Sequence, residues 1–321
     1  MDLLESIQST MDTLEFELIG QLKSRVPVAF EIGAHIMNSG GKRIRPQLTV
    51  ISARMGGYTG MDAVTLAGAI ECIHTATLLH DDVVDYAETR RGRPAANTLW
   101  SNEMCVLGGD FILAKAFSAL TSLKNLRILE IVSNATARLS EGELFQMANI
   151  GNMDFSEENY VQVITDKTAV LMEAACRCGS ILGGLSSEKE DALSRFGFNL
   201  GVAFQMTDDL IDYRSNMETM GKNPGQDLQE GKLTLPLITA LKLATTDEKK
   251  SVNKIVTSGN VSPDDFTWVK DFIDRRNGVA ETLAHSREYL SEAVKSLLIF
   301  EDSEEKMALT KISDKILHRT Y

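Results

Sequence analysis

The residues best suited to chemistry lie in the stretch 78–97, which reads LLHDDVVDYAETRRGRPAAN. The apolar residues before it recur at helical spacing, so Asp81 and Asp85 are predicted to lie one turn apart on one helix face, about 6 Å apart at Cβ. Two carboxylates this close repel each other unless a cation lies between them, and Mg2+ is a hard cation that prefers oxygen ligands. Arg90 and Arg91 follow as planar donors for diphosphate oxygens. The alternative is an acidic helix end followed by a solvated basic loop.

A second acidic motif strengthens this interpretation. Residues 205–212 read QMTDDLID and repeat the Asp-Asp-x-x-Asp spacing with Asp208, Asp209 and Asp212, again at the end of an apolar helical run. The helix dipole disfavours negative charge at the C-terminal end of a helix. A fold that places carboxylates there twice is expected to offset them with bound cations.

A cationic motif precedes both acidic ones, in residues 40–48, GGKRIRPQL. Lys42, Arg43 and Arg45 supply three cations within four residues, and Pro46 fits the first turn of a helix. A helix N-terminus with cations ahead of it favours an anion. Beside two acidic motifs, this segment is interpreted as a second diphosphate pocket. Taken alone, it would be interpreted as a positively charged surface turn.

Polar residues inside apolar helical runs also need a reason to be there. His74 lies two turns before Asp81, where it can reach a phosphate group or serve as a hydrogen-bonded core histidine. Lys167 and Thr168 follow Asp166 in another apolar run, where an ammonium without a partner is costly. A phosphate suits Lys167, and the Thr168 hydroxyl oxygen can face a developing positive charge. Solvent exposure of this pair is the alternative.

Residues 214–231, after the second acidic motif, are rich in Gly, Asn and Pro and predict a loop. The loop carries Lys222 and is followed by Lys232. A lid that closes cations over a phosphate-loaded cleft fits this composition. An ordinary surface loop is the alternative.

Composition limits the class of protein. The chain has 321 residues, 43% of them hydrophobic, a net charge of −12 and a pI near 5.0. These values allow a large core and argue against nucleic acid as a partner. The first residues lack the basic and apolar regions of a signal peptide, and no apolar run reaches the roughly 18 residues of a membrane span. A cytoplasmic protein is expected.

Cysteine usage agrees with that expectation. No C-x-x-C pair occurs, and all four cysteines lie in apolar helical stretches. They are predicted to be buried reduced thiols, and a cysteine metal site is not expected. The four are Cys72, Cys105, Cys176 and Cys178.

Helical periodicity accounts for the organisation of the chain. No strand-type alternation and no repeat of about 20–50 residues persists, so one all-α domain over residues 1–321 is predicted. The predicted helices span residues 2–22, 28–37, 60–86, 95–120, 123–149, 156–185 and a run that ends in the second acidic motif, with four or five more after residue 233. The first of these helices carries an apolar stripe at a 3.6-residue spacing, which predicts a packed face. Ser156 is predicted to cap the helix that begins there.

The ordered motifs resemble those of the trans-prenyl diphosphate synthases, the polyprenyl synthetase family. The matching segments are GGKRIRP, LLHDDVVD, RRGRP, KT, QMTDDLID, and GK followed by EGKLTLP. The resemblance covers nearly the whole chain. It implies an isoprenoid synthase-type bundle of antiparallel helices around a central cavity, commonly a homodimer. It also implies a prenyltransferase that condenses isopentenyl diphosphate with an allylic diphosphate.

The resemblance assigns roles to individual residues. It implies that Asp81, Asp85 and Asp208 hold up to three Mg2+ on the allylic diphosphate. That substrate is expected to be bound by Arg90, Lys167, Thr168, Gln205, Lys222 and Lys232. Isopentenyl diphosphate is expected to be bound by Lys42, Arg45, His74 and Arg91. No protein nucleophile is required, because metal and cationic side chains stabilise the charge that develops as the C1–O bond breaks.

Product length is argued from the helix before Asp81. The growing tail is expected to run beside that helix, and a position five residues earlier lies about 7.5 Å deeper. That position is Ala76, with Thr77 beside it. Short-chain members of the resembled family typically carry an aromatic residue there, so Ala76 leaves the tunnel open. Its floor is expected at Phe145 or Met147.

Resemblance to octaprenyl-type members implies an octaprenyl product destined for a quinone side chain. A farnesyl or geranylgeranyl diphosphate synthase is the short-chain alternative. A terpene cyclase, a non-catalytic subunit of a heteromeric synthase and a helical phosphohydrolase are rival classes, and demand for an isopentenyl co-substrate separates them from a synthase. No membrane anchor is predicted, and transient membrane contact during product release is the most that is expected.

Overall fold

The computed structural model describes residues 3–214 and 225–317, and these are mostly α-helical. The helices are α1 (Leu3–Gln21), α2 (Pro27–Met37), α3 (Ile44–Arg54), α4 (Met61–Val84), α5 (Ala96–Leu99), α6 (Asn102–Ser122), α7 (Leu126–Ala148), α8 (Glu157–Ile164), α9 (Val170–Leu182), α10 (Ser187–Arg214), α11 (Gln226–Gln229), α12 (Leu235–Lys242), α13 (Thr246–Val256), α14 (Pro263–Arg275), α15 (Gly278–Ser296) and α16 (Glu304–Leu317). A π-helical segment, Thr165–Ala169, separates α8 from α9, and a 3-10 turn, Leu297–Ile299, follows α15. The predicted all-α class is confirmed.

Two compact units make up the chain. Unit 1 comprises Met1–Thr136, Leu171–Gly197 and Ser296–Lys311, and unit 2 comprises Ala137–Val170, Phe198–Lys295 and Ile312–Tyr321. The first acidic motif and the GGKRIRP segment belong to unit 1, whereas the second acidic motif and the Lys-Thr pair belong to unit 2. That residues 1–321 act as one domain stays a prediction.

Helix α4 forms the centre of unit 1, where it packs against α1, α3 and α6. It is apolar around most of its circumference, and Leu66, Ile70 and Ile73 are fully buried, as expected of a helix surrounded by others. The stripe predicted on α1 is also buried, since Leu14 and Leu18 have no exposed surface. The first acidic motif therefore ends a rigid, buried helix.

Unit 2 has its own hydrophobic core. Residues of α8, α10 and α14 meet there, including Tyr160, Met206 and Phe272. Ser156 caps α8 as predicted, because its hydroxyl accepts a hydrogen bond from the Asn159 backbone N–H at 3.2 Å. After residue 233, five α-helices follow within the part of the chain that the structure describes, in agreement with the four or five predicted.

Two predicted helices have different boundaries. The helix predicted from residue 95 begins at Asn102, because Trp100 is extended and the Ser101 side chain caps the new helix. Residues 96–99 form the separate short helix α5. The helix predicted over 156–185 is divided by the π-helical segment, since one extra residue there widens the turn.

A small hairpin follows α4 and was not predicted. Strand β1 (Thr89–Arg90) pairs antiparallel with β2 (Arg93–Pro94) through a two-residue turn. Arg91 and Gly92 in the turn have φ angles of 53° and 74°, and two positive values in succession are typical of a type I′ hairpin. Each strand has only two residues, which is too short for a period-two pattern, so periodicity could not reveal the hairpin.

Two helices, α4 and α6, are long and apolar enough to cross a membrane, although no such span was predicted. This is weak evidence, because buried core helices pass the same test, and 72% of the α4 window is buried. The cysteine prediction is confirmed, since all four thiols are buried and free. Burial raises the pKa of Cys72 and of Cys176 to about 12.

Candidate active site

The end of α4 presents the first acidic motif in unit 1. Asp81 lies in the last turn and Asp85 is the C-cap residue, whose backbone N–H donates to the Asp81 carbonyl at 2.8 Å. Both side chains are partly buried. The predicted spacing of one helical turn is therefore observed, although Asp85 lies just beyond the helix.

Asp82, the middle carboxylate of this motif, has a different environment. Asp82 is buried and forms an ion pair with Arg90. The Nη2 and Nε atoms of Arg90 lie 2.6 Å and 2.7 Å from Asp82 Oδ1. The hairpin returns Arg90 toward the end of α4, so the ion pair ties the two elements together. Sequence reasoning assigned no role to Asp82, although a carboxylate between two ligand candidates was a signal for such an anchor.

Four arginines of unit 1 cluster around His74. Burial lowers the pKa of His74 well below its ordinary value, and the charges of Arg45, Arg91, Arg90 and Arg43 lower it further. The imidazole is therefore neutral at pH 7 in the midst of cations. Such a cluster repels itself, and a bound anion would relieve that repulsion.

The GGKRIRP segment and the hairpin meet at this cluster. A Cβ atom on Gly41 would lie 2.7 Å from the Arg91 Nη1 atom, so glycine lets the guanidinium approach the backbone closely. Lys42 is exposed and Arg45 is buried. The structure thus places Arg45, His74 and Arg91 near one another in unit 1, and Lys42 lies in the same segment as Arg45. That these four residues bind isopentenyl diphosphate stays a prediction.

Arg43 holds the GGKRIRP segment in place. Its guanidinium donates to Glu15 at 2.7 Å, to Glu71 at 2.8 Å and to the Met37 carbonyl at 2.9 Å. Burial lowers the pKa of Arg43, but the hydrogen bonds with Glu15 and Glu71 outweigh burial and the net shift is upward. Sequence reasoning missed these two partners, although a glutamate within the apolar α4 pattern was a signal.

The second acidic motif lies near the end of α10 in unit 2. Asp208 is partly buried, whereas Asp209 and Asp212 are buried. The Asp212 carboxylate accepts hydrogen bonds from the backbone N–H groups of Gln226 and Asp227 at 3.3 and 3.2 Å. These hydrogen bonds connect the start of α11 to Asp212 on α10.

Asp209 is the most perturbed carboxylate of this motif. Burial raises its pKa well above the ordinary value, the neighbouring carboxylates of Asp227 and Asp208 raise it further, and hydrogen bonds from Tyr160 and Gln205 lower it. This part of unit 2 therefore carries an excess of negative charge that a cation would relieve.

The π-helical segment positions the Lys-Thr pair. The Lys167 ammonium lies 2.5 Å from a Glu143 carboxylate oxygen and donates to the Gln146 side-chain oxygen at 2.5 Å. Full solvent exposure, the alternative for this pair, is wrong, because the Lys167 side chain is only 23% exposed and Thr168 is buried. The partner that a partly buried ammonium needs is thus supplied on α7, which sequence reasoning did not identify.

The remaining predicted residues are distributed between the units. Lys232 is 10% exposed and pairs with Glu230 at 2.5 Å, while Lys222 lies outside the described residues. Ala76 is buried and Thr77 partly buried in α4 of unit 1. Phe145, predicted as tunnel floor, belongs to unit 2 and packs against Phe155 with ring centroids 6.3 Å apart.

The carboxylates fit a hard divalent cation in part. Among the described residues, no group of three or more His, Cys, Asp or Glu side chains could hold a metal ion on its own. Asp81 with Asp85, and Asp208 beside Asp209, instead offer small sets of oxygen donors. Mg2+ commonly takes one or two carboxylates and completes its shell with water and substrate phosphate, so these donor sets fit such an ion.

Comparison with known proteins places the chain in a class. The sequence model of the family described as Polyprenyl synthetase matches residues 26–273. The chain belongs to the polyprenyl synthetase family. It is an enzyme of the trans-prenyl diphosphate synthase class, a prenyltransferase.

The relatives of this chain are named for products of different chain length. Octaprenyl diphosphate synthase of Escherichia coli K12 is 47% identical over 243 residues, covering 76% of this chain and 75% of that protein. A geranyl-diphosphate-specific all-trans-nonaprenyl-diphosphate synthase of Rhodobacter capsulatus is 35% identical over 319 residues, 99% and 97% of the two chains. A short chain isoprenyl diphosphate synthase of Methanothermobacter thermautotrophicus is 34% identical over 329 residues, 100% and 99%.

A solved structure shows the same fold. Polyprenyl synthase of Caulobacter crescentus CB15, crystallised with calcium and isoprenyl diphosphate, superposes with a TM-score of 0.95 at 34% identity, covering 99% of this chain and 97% of that one. The fold is that of the isoprenyl synthases, as the resemblance implied. The family is divalent-metal-dependent.

Proposed function

We propose that this enzyme is a Mg2+-dependent prenyltransferase that joins isopentenyl diphosphate to a farnesyl-type allylic diphosphate and builds a long all-trans chain, an octaprenyl diphosphate used for quinone side chains. The observation that carries the proposal is the cluster of arginines around a neutral His74 in unit 1. A chain with a net charge of −12 concentrates cations there, as a site for a highly charged anion requires.

Isopentenyl diphosphate is the substrate proposed for this cluster. Lys42, Arg45, Arg91 and the neutral imidazole of His74 supply the donors. Arg43 is already engaged by Glu15 and Glu71, so it holds the segment in place. Guanidinium groups bind phosphate oxygens in pairs, which orients the diphosphate as well as neutralising it. The bound diphosphate therefore also fixes the orientation of the double bond of isopentenyl diphosphate.

The allylic diphosphate is proposed to be bound by the Asp residues with Mg2+ and by Arg90, Lys167, Gln205, Lys222 and Lys232. When bound, Mg2+ on Asp81, Asp85 and Asp208 would neutralise the charge of the diphosphate leaving group. The partly buried Lys167, already near Gln146 and Glu143, is poised to donate to a phosphate oxygen. Thr168 offers a hydroxyl oxygen to the carbon that becomes positive.

The reaction follows from this arrangement. The C1–O bond of the allylic diphosphate breaks and its electron pair leaves with the diphosphate. The double bond of isopentenyl diphosphate forms the new C–C bond at that carbon, and the proton lost from the adduct goes to the departing diphosphate. The side chains contribute by orienting both substrates, excluding water and stabilising the charge that develops.

An octaprenyl product is supported by the small Ala76 five residues before Asp81 and by the octaprenyl name of the Escherichia coli relative. A short-chain product is the second candidate, since a relative of that name also matches over the whole chain. Phe145 is proposed as the chain-length floor.

A homodimer in the cytoplasm is proposed as the working form, with membrane contact limited to product release. Support for a dimer comes from α6, where Met104 and Leu107 lie on one face of the helix and are 43% and 62% exposed. Exposed apolar side chains that share a face are typical of a protein interface.

The test is incubation of the purified enzyme with farnesyl diphosphate, labelled isopentenyl diphosphate and Mg2+, followed by chain-length analysis of the extracted lipids. A ladder that ends at the octaprenyl product is expected. Products that stop at the geranylgeranyl length would keep the enzyme class and overturn the proposed length. Absence of any elongation by a folded enzyme would contradict the proposed substrates.

A further inference from the structure

Three consecutive hydrogen bonds in unit 2 link a core tyrosine to the Lys-Thr pair. The Tyr160 hydroxyl donates to Asp209 Oδ2 at 2.6 Å, the Gln205 Nε2 group donates to Asp209 Oδ1 at 2.8 Å, and the Thr168 hydroxyl donates to Gln205 Oε1 at 2.8 Å. Thr168 and Gln205 are proposed to act on the allylic diphosphate and Asp209 is one of the oxygen donors beside Asp208, whereas Tyr160 has no role so far.

The direction of each bond in this chain is dictated by chemistry. The Asp209 carboxylate oxygens accept both hydrogen bonds that reach them, so the Gln205 amide turns its NH2 group toward Asp209. Its carbonyl oxygen then faces Thr168, and an amide oxygen also only accepts. The Thr168 hydroxyl is thereby obliged to donate its single hydrogen to Gln205. Its lone pairs are left directed away from Gln205.

Tyr160 is the fixed end of the chain. Its side chain is 2% exposed and belongs to the unit 2 hydrophobic core. It lies on α8, and Thr168 lies in the π-helical segment that continues from α8. Its hydroxyl restrains Asp209 Oδ2, so the carboxylate cannot rotate freely about its side-chain bond. A π-helical segment is a frequent feature of functional sites.

We propose that Tyr160 is a positioning residue for prenyl transfer: it fixes the Asp209 carboxylate, which orients the Gln205 amide and keeps the Thr168 lone pairs available to the allylic carbon as positive charge develops there. This inference rests on the proposed function. Because the contact strengthens only as charge develops, its loss lowers kcat and kcat/KM together and leaves the KM of the allylic substrate nearly unchanged.

The first test is Tyr160→Phe, which removes one hydroxyl and keeps the ring in the core. Its kcat with farnesyl and isopentenyl diphosphates at saturating Mg2+ is expected to fall by about tenfold, the effect of one lost hydrogen bond to a charged group. Tyr289→Phe is the matched control, because Tyr289 packs against the same core and lies outside the hydrogen-bond chain. The control is expected to retain its kcat.

A double-mutant cycle with Thr168→Val separates positioning from support of the fold. If Tyr160 acts through Thr168, the double variant has the kcat of Thr168→Val alone, because the contact is already lost. The urea-unfolding midpoint of all variants, measured without metal or substrate, is expected to show the same coupling. Effects on kcat that multiply, or an unchanged kcat in Tyr160→Phe, would overturn the inference.

Asp209→Asn provides a second variant should Tyr160→Phe not fold. The asparagine amide turns a donor toward Gln205, so Gln205 rotates and presents its own donor to Thr168. A loss of kcat at saturating Mg2+ similar to that expected for Tyr160→Phe supports the inference, and an unchanged kcat overturns it. A wild-type enzyme that does not elongate farnesyl diphosphate would instead contradict the proposed function.

Discussion

At the scale of single residues, charged side chains in this enzyme fall into two groups. Some are committed to partners within the protein, as Arg43 is to Glu15 and Glu71. Others lie close to like charges, as Arg91 does to Arg90 in the cluster around His74. Committed pairs hold the framework, and clustered like charges mark where a ligand of opposite charge is expected.

His74 gives a pH prediction at this scale. Its pKa in the folded state is lowered, so below the ordinary value the unfolded chain binds a proton that the folded chain does not, and stability falls as pH decreases from about 6.5. We expect His74→Gln to flatten the dependence of unfolding free energy on pH between about 5 and 7. Urea unfolding across that range measures it.

His285→Gln is the control for this experiment, because that imidazole is a surface group beside Glu157, 3.2 Å from the carboxylate. The His285→Gln substitution is not expected to flatten the dependence of the unfolding free energy on pH. A His74→Gln variant whose stability falls with acid as steeply as that of the wild type would contradict the assignment of a neutral, cation-surrounded imidazole.

The Lys167–Glu143 pair gives a stability prediction. Both side chains are about one-fifth exposed, at 23% and 21%, so solvent screens the pair only in part. Glu143→Gln is expected to lower the unfolding free energy by about 1 kcal/mol, because a partly screened ion pair is lost. Urea unfolding of the metal-free protein measures this change.

The matched variant is Glu141→Gln, on the same helix but exposed. Its unfolding free energy should stay within about 0.5 kcal/mol of the wild type. Equal effects of the two substitutions would mean that Glu143 stabilises the protein no more than an exposed glutamate does.

At the scale of elements, several of the functional side chains are positioned by short connecting segments and not by the long helices. The two-residue turn at Arg91 and Gly92 returns Arg90 to Asp82, and the GGKRIRP segment brings Gly41 against Arg91. In unit 2 the π-helical segment turns Lys167 toward α7 and Thr168 toward α10. A change of one residue's backbone geometry in such a segment is expected to move several functional groups.

Gly92→Ala tests the hairpin. The φ of Gly92 is 74°, a conformation that costs an alanine roughly 1 kcal/mol, so the variant is expected to be less stable by about that amount. The KM for isopentenyl diphosphate is expected to rise, because Arg91 is displaced with the turn. Steady-state kinetics and urea unfolding measure the two effects.

Gly20→Ala is the contrasting substitution. Gly20 lies in α1, and a Cβ atom there would meet nothing within 4 Å. Alanine is favoured over glycine within a helix, and Gly20 lies in the last turn of α1, so this variant should be more stable by less than about 1 kcal/mol with unchanged kinetics. A Gly92→Ala variant that is also stabilised would show that the turn needs no positive φ.

At the scale of the whole molecule, the distribution of charge determines where ligands are expected to bind, and the apolar cores determine where the helices lie. The net charge of −12 excludes a general attraction for polyanions, so the positive cluster of unit 1 acts locally. Each unit buries its own apolar core, and the functional motifs lie at helix ends or in short segments beside those cores. The long helices therefore fix the positions from which the motifs act, and the cavity proposed for the product tail depends on their small residues.

Ala76→Phe tests the proposed tunnel. A phenyl group at this buried position is expected to block the growing tail about 7.5 Å below Asp81, so products should be shorter than those of the wild type. Ala76→Val should shorten them less. Chain-length analysis of the extracted lipids measures both, and the urea-unfolding midpoint verifies that each variant is folded.

Ala284→Phe, at an exposed position of α15, is the control for added aromatic bulk. Its product distribution should match that of the wild type. An unchanged distribution in folded Ala76→Phe would show that the tail does not pass this residue.

The sequence by itself determined the fold class, most helix positions and the class of enzyme. It did so because helical periodicity is a local property of the chain and because the motifs are read as ordered sets of residue types. The buried stripe of α1 and the cap at Ser156 are local signals of this kind. The same is true of the spacing of Asp81 and Asp85.

Only the tertiary structure decided which partner each charged group takes. Glu71 with Arg43, Asp82 with Arg90, Glu143 with Lys167 and Tyr160 with Asp209 join residues 8 to 49 positions apart in the chain. Such pairs depend on how elements pack, and no periodic pattern encodes them. The strained turn at Arg91 and the π-helical segment are likewise held by their surroundings, because neither backbone conformation is favoured locally.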